Sequence, residues 1–208
     1  MNRPYPPAEL LEEFEGRPLF VAAPDLEAWA TETFISESGP LANPEHEYLR
    51  GARIGFLYTN VENSRHQRHI TATAELGPPN PTGGKWKVAR EEYQILQWFG
   101  EVPDFRITCY APDFAAMSDI DLCATVEHEL YHCHVQYKDG FPRFKADGSY
   151  FWAMRGHDVE EHVGIVRRYG APAGAGKTME LVEAAKQVPT VGRASIAAAC
   201  GTCALRLA

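Results

Sequence analysis

The feature that most constrains this chain is the run Glu127-His128-Glu129-Leu130-Tyr131-His132, in which two histidines stand four residues apart around a glutamate. That spacing brings the two side chains together on a helix, where residues i and i+4 lie one above the other on one face. On such a face both imidazoles can reach a single ion at the ~2.0–2.1 Å that zinc accepts from histidine nitrogen. Glu129, adjacent to His128, is then the candidate general base: it can take a proton from water attacking a carbonyl and pass it to the leaving amine. Ser118 and Asp121 stand in the S-x-x-[DE] relation of a capping box, which predicts a helix from there to about Val135.

Two histidines leave an ion under-coordinated, so a third ligand must come from elsewhere in the chain. The stretch Arg155-Gly156-His157-Asp158-Val159-Glu160-Glu161-His162-Val163 supplies the candidates. Asp158 is placed to cap a second helix with an apolar stripe of Val159, Val163 and Val166, leaving His157 at its mouth and Glu161 about a turn inside. Ligand chemistry, together with the family resemblance given below, favours His157 over Glu161, with His162 or a purely structural role behind them. Asp158 is also suited to accept the second N–H of a ligating histidine. His134, two residues beyond His132, falls on the other side of the helix and reads as a packing or solvent position. If Glu161 or His162 closed the site as a fourth ligand, the chain would be a zinc-stabilised binding module instead of a hydrolase.

The flanking segments read as a scaffold in three parts. Residues 1–50 hold two short amphipathic stretches, Ala8 to Glu15 and Asp25 to Ile35, with Asp25 placed as a cap, and are expected to be packing helices. Residues 51–170 form the core. Within it, Arg53 to Thr59 and His69 to Leu76 carry the aromatic and β-branched content of strands and suggest a hairpin or two neighbouring strands. Gly77 to Gly84 is a proline- and glycine-broken loop, and Trp86 to Phe99 fits the helical period. Asp104 to Tyr110 alternates Phe105, Ile107 and Cys109 against Arg106 and Thr108, the pattern of a half-buried strand. Residues 171–208 are an Ala/Gly-rich helix or tail in which Lys177-Thr178 begins a helix to Lys186. The GAGKT segment there is not a phosphate-binding loop, because Ala171 stands where that pattern needs glycine and no strand precedes it.

Composition narrows the classes. The chain has 208 residues, 45% of them apolar, and a formal charge of −8. It is therefore expected to be one folded domain, and an acidic surface argues against autonomous nucleic-acid binding, whose affinity comes from basic residues that displace counterions. No apolar run approaches the ~18 residues of a spanning helix. The opening MNRPYPPAELLEEFEG lacks the apolar stretch of a signal peptide, so a cytoplasmic location is expected. The five cysteines, Cys109, Cys123, Cys133, Cys200 and Cys203, are read as reduced thiols. Cys133 is expected to be a packing residue, and the Cys200/Cys203 pair lacks the second pair that a metal knuckle needs.

The run from Asp104 to Gly170 resembles the putative phage metallopeptidase family and, more distantly, the SprT-like zinc proteases. The segment His128-Glu129-Leu130-Tyr131-His132-Cys133 matches the family pattern H-E-L-x-H-C, and Gly156 to Glu161 matches G-H-D-x-E-E. The resemblance implies an α+β, zincin-like fold: a small mixed sheet, an H-E-x-x-H helix and a following helix that bears a ligand. It implies His157 as the third zinc ligand beside His128 and His132, Zn2+ as the cofactor, and a peptide or protein as the substrate. It also implies a cleft bordered by an edge strand, with Asp104 to Tyr110 in that role and able to pair with an extended substrate backbone. His162 departs from the pattern, which has an aromatic residue there, and adds a spare ligand.

Overall fold

The computed structural model describes residues 3–11, 17–65, 68–80, 82, 84–159, 166–168 and 177–194. These fall into two compact units divided after Arg155, the second running Gly156–Arg193. In chain order the first unit forms β1 (Phe20–Ala22), α1 (Pro24–Ala30), β2 (Ile54–Thr59), β3 (Asn63–Arg65), β4 (Arg68–Ile70), β5 (Ala72–Leu76), α2 (Gly84–Phe99), β6 (Phe105–Tyr110), α3 (Ala111–Ala116) and α4 (Asp119–His132). A ribbon follows: β7 (Cys133–Val135), β8 (Tyr137–Lys138), β9 (Phe141–Pro142) and β10 (Trp152–Met154). The described part of the second unit contains the helix Thr178–Ala184, in agreement with the start expected at Lys177-Thr178.

The sheet is mixed, in the order β1-β2-β6-β5. β2 and β6 run parallel with Ile54 opposite Phe105, while β1 and β5 flank them in antiparallel pairings. The architecture is α+β with a small mixed sheet, consistent with a zincin-like fold.

Two expectations about the strands are corrected. The strands in Arg53 to Thr59 and His69 to Leu76 are not neighbours, because β6 inserts between them. β6 is consequently a central strand and not the edge strand expected of Asp104 to Tyr110; among the described residues β1 and β5 are the two ends of the sheet order. The reason lies in Arg106. Counted as polar, it made β6 look half-buried, yet its side chain is buried by ion pairs with Glu91 of α2 at 3.0 Å and Glu75 of β5 at 3.3 Å. A strand whose charged side chain is neutralised on one face and whose Phe105, Ile107 and Cys109 are fully buried on the other fits a sheet centre, covered on both sides. The residues between β2 and β5 make their own small hairpin, β3 with β4.

One face of the sheet carries the main core. Ile54, Phe56 and Tyr58 of β2, Ala72 and Ala74 of β5, and the three apolar residues of β6 pack with Leu26 and Ala30 of α1 and with Leu122, Val126 and Leu130 of α4. α1 lies against β2 and α4 against β5. Asp25 sits inside the first turn of α1 and not at its cap, which is Ala23 with Pro24 behind it. Proline at that position sacrifices no hydrogen bond, so no side-chain cap is required. Of the expected helix at Ala8 to Glu15, Ala8–Leu10 is a 3-10 turn and residues 12–16 lie outside the described residues.

Gly77 joins β5 to the sheet next to the start of β6. Its N–H donates to the Asp104 carbonyl at 2.8 Å, and a Cβ there would overlap the Pro103 carbonyl. Gly77→Ala is therefore predicted to destabilise the fold by about 1–3 kcal/mol or more through a forced backbone shift. Urea unfolding checks this, and a midpoint equal to that of the parent protein would contradict the close approach.

Candidate metal centre

α4 starts as its sequence predicts. Ser118 caps it, accepting from the Asp121 N–H at 3.3 Å and donating to the Asp121 carboxylate at 2.6 Å. Its apolar stripe, Leu122, Val126 and Leu130, is turned to the sheet, and that packing sets where the other faces of the helix point. The helix ends at His132, short of the expected Val135. Cys133–Val135 leaves the helix because it finds a partner strand: Cys133, His134 and Val135 pair with Met154, Ala153 and Trp152. His134 is thus on a strand, its ring stacked on Tyr48 at 5.0 Å, and burial holds its pKa below the usual histidine range. Its packing role stands, although the element carrying it differs.

His128 and His132 are brought together. Their Nε2 atoms lie 3.2 Å apart, with His132 buried and His128 half-buried. Two nitrogens each about 2.0–2.1 Å from one ion in tetrahedral geometry are roughly 3.3 Å apart, so the spacing suits a shared ion. The orientation of His132 is set by Arg155, which closes β10. The Arg155 N–H donates to the His132 carbonyl at 2.9 Å, and the Arg155 carbonyl lies 2.7 Å from His132 Nδ1. A carbonyl only accepts, so Nδ1 carries the proton and Nε2 keeps its lone pair for a ligand. Sequence reasoning offered Asp158 for this task. For His132 the acceptor is a backbone carbonyl, which no side-chain pattern reveals, and Asp158 forms an ion pair with Lys177 at 3.2 Å in the second unit.

Glu129 is buried, with 2% of its surface exposed. Its carboxylate is close enough to the Cys109 and Cys133 thiols to add to burial in pushing both well above the ordinary thiol range. Both cysteines, like Cys123, are buried thiols, and Cys133 packs as expected. His157 opens the second unit and is exposed. Glu161, His162, Cys200 and Cys203 lie outside the described residues, as does all but the ends of the expected helix from Asp158.

A polar cluster behind the histidine face was missed by the sequence reading. The Asn43 amide donates to Glu127 Oε1 at 2.7 Å and to the Tyr131 hydroxyl at 2.9 Å. His46, fully buried, sets its ring edge-to-face with Tyr131, centroids 4.6 Å apart, and the Arg155 guanidinium lies over the Tyr131 ring at 5.8 Å. The Asn43-Pro44 pair does signal a turn start, and Asn43 does cap the 3-10 helix Pro44–Gly51. Its partners lie more than 80 residues away in the chain, where no local pattern points.

Burial, aided by the nearby Arg155 charge, lowers the His46 pKa to about 4. Above about pH 6.5 His46 is neutral in folded and unfolded chains alike. As the pH falls toward 4 the unfolded chain takes up a proton that the folded one refuses, so stability declines through that window by up to about 3 kcal/mol. His46→Phe is predicted to flatten this decline when unfolding free energy is measured from pH 7 to pH 4; an unchanged slope would contradict the assignment.

Among the described residues no helix is long and apolar enough to cross a membrane. No curated protein and no solved structure gives a significant match to the chain. The family described as putative phage metallopeptidase matches residues 23–186, a span that takes in β2, β5 and β6 of the sheet, α4 and the ribbon. By that match over most of its length, and with the paired histidines of α4 inside it, the chain belongs to the phage metallopeptidase family.

Proposed function

We propose that the protein is a zinc-dependent metallopeptidase in which His128, His132 and His157 each give one imidazole nitrogen to the ion and Glu129 is the general base. The observation that carries this reading is the pair of Nε2 atoms 3.2 Å apart, with the His132 ring oriented through its Nδ1 by the Arg155 carbonyl. An all-imidazole donor set suits zinc, with an open fourth position left for water. His157 follows Arg155 by two residues, so its Cα is at most about 7 Å from that of the residue hydrogen-bonded to His132. Chain connectivity alone therefore keeps it within reach, which favours it over Glu161.

When bound, zinc supplies Lewis acidity toward a carbonyl oxygen and lowers the pKa of water. The chain does the rest. Glu129, shielded from bulk solvent, takes the proton from the attacking water and delivers it to the leaving amine. β5 pairs with β6 in the sheet, and α4 packs against it. The substrate of this chemistry is a peptide or protein.

The test combines metal content with turnover. The purified protein is predicted to hold about one zinc per chain, and Glu129→Gln to keep that zinc while lowering kcat/KM on a peptide substrate by roughly 100-fold or more. Hydrolysis at the parent rate by Glu129→Gln would refute the base assignment.

A further inference from the structure

Resting on the metal-site reading above, we propose that Asn43 is a positioning residue that fixes the rotation of α4 about its own axis and so holds His128 and His132 on target. Three contacts define its side chain. Oδ1 accepts from the Glu45 N–H at 3.0 Å, which fixes which end of the amide is which. The two N–H bonds of Nδ2 are then left for Glu127 Oε1 at 2.7 Å and the Tyr131 hydroxyl at 2.9 Å. Every hydrogen-bonding direction on that end of the amide is used.

The pair it grips is significant. Glu127 and Tyr131 are four residues apart, and each immediately precedes one of the two histidines. The gripped stripe and the histidine stripe are thus parallel and offset by about 100° around the helix. A tether on one stripe sets the bearing of the other. A rotation of about 20° would carry an atom at the helix surface, about 5–6 Å from the axis, by roughly 2 Å. Metal ligands tolerate errors of about 0.2 Å. The Arg155 contacts hold the last turn of the helix, whereas Asn43 spans the turn that separates the two histidines. Behind the tether, Tyr131 packs against the fully buried His46 ring.

The structure also supplies variants that separate this role from the cap Asn43 provides to Pro44–Gly51. Serine and aspartate are both good caps. A serine hydroxyl is too short to reach α4, and an aspartate sets a carboxylate against that of Glu127. Asn43→Ser and Asn43→Asp are therefore expected to keep the far-UV circular dichroism and cooperative unfolding of the parent. Both should lose zinc affinity by about 10-fold or more in a competition titration against a chromophoric chelator, the usual effect of removing an orienting contact. The visible spectrum of the Co2+-substituted protein should change as well, because the two imidazoles approach the ion at new angles. The double variant Asn43→Asp/Glu127→Gln restores one donor facing one acceptor, and should return the affinity to within about 3-fold of the parent. Parent-like zinc affinity and cobalt spectrum in both single variants would overturn the proposal. So would a loss that the double variant does not rescue, since the effect would then not run through the contact between Asn43 and Glu127. A parent protein that binds neither zinc nor cobalt would instead overturn the metal-site reading itself.

Discussion

Two hydrogen bonds between His132 and Arg155 hold the site together. One, from the Arg155 N–H to the His132 carbonyl, ties the last turn of α4 to the end of β10. The other, from His132 Nδ1 to the Arg155 carbonyl, selects the tautomer whose Nε2 faces that of His128. The same residue therefore ends the helix, anchors the ribbon and aims an imidazole. His132 is almost fully buried, so an unpaired Nδ1–H there would cost the desolvation of a polar group as well as the aim of the ring.

The clamp depends in turn on how α4 is seated. Leu122, Val126 and Leu130 fasten it to a sheet face made of alternate residues of β2, β6 and β5. β6 can occupy the centre because Arg106 is neutralised on the opposite face by Glu75 and Glu91. That ion-paired trio also fastens α2, few of whose residues are buried, to the sheet. The stack runs from one covered face of the sheet to the other, and the histidines stand on the far side of the helix from its apolar stripe.

Sequence carried the local part of this account well. The His-Glu-Leu-Tyr-His spacing, the Ser118/Asp121 cap and the helical period of Trp86 to Phe99 are properties of short windows, and each appears in the structure, the last within the slightly longer helix Gly84–Phe99. What failed was decided at long range. The helix stops at His132 because Cys133–Val135 pairs with a strand about twenty residues on, a contact with no signature in the helix itself. β6 reads as half-buried because alternation cannot distinguish a solvated arginine from one buried between two glutamates. The partner of His132 is a main-chain carbonyl, and every residue has one. Asn43 and His46 sit in a segment that reads as plain packing, and their importance comes only from what they touch on α4.

The measurement that tests the account most directly is the zinc K-edge absorption spectrum of the purified protein. Three imidazole nitrogens at about 2.0–2.1 Å with one oxygen of a water completing the shell is the predicted result. Four protein ligands with no water, or sulfur at about 2.3 Å from the ion, would contradict it. Either would mean that the paired histidines of α4 serve a closed structural site and not a hydrolytic one.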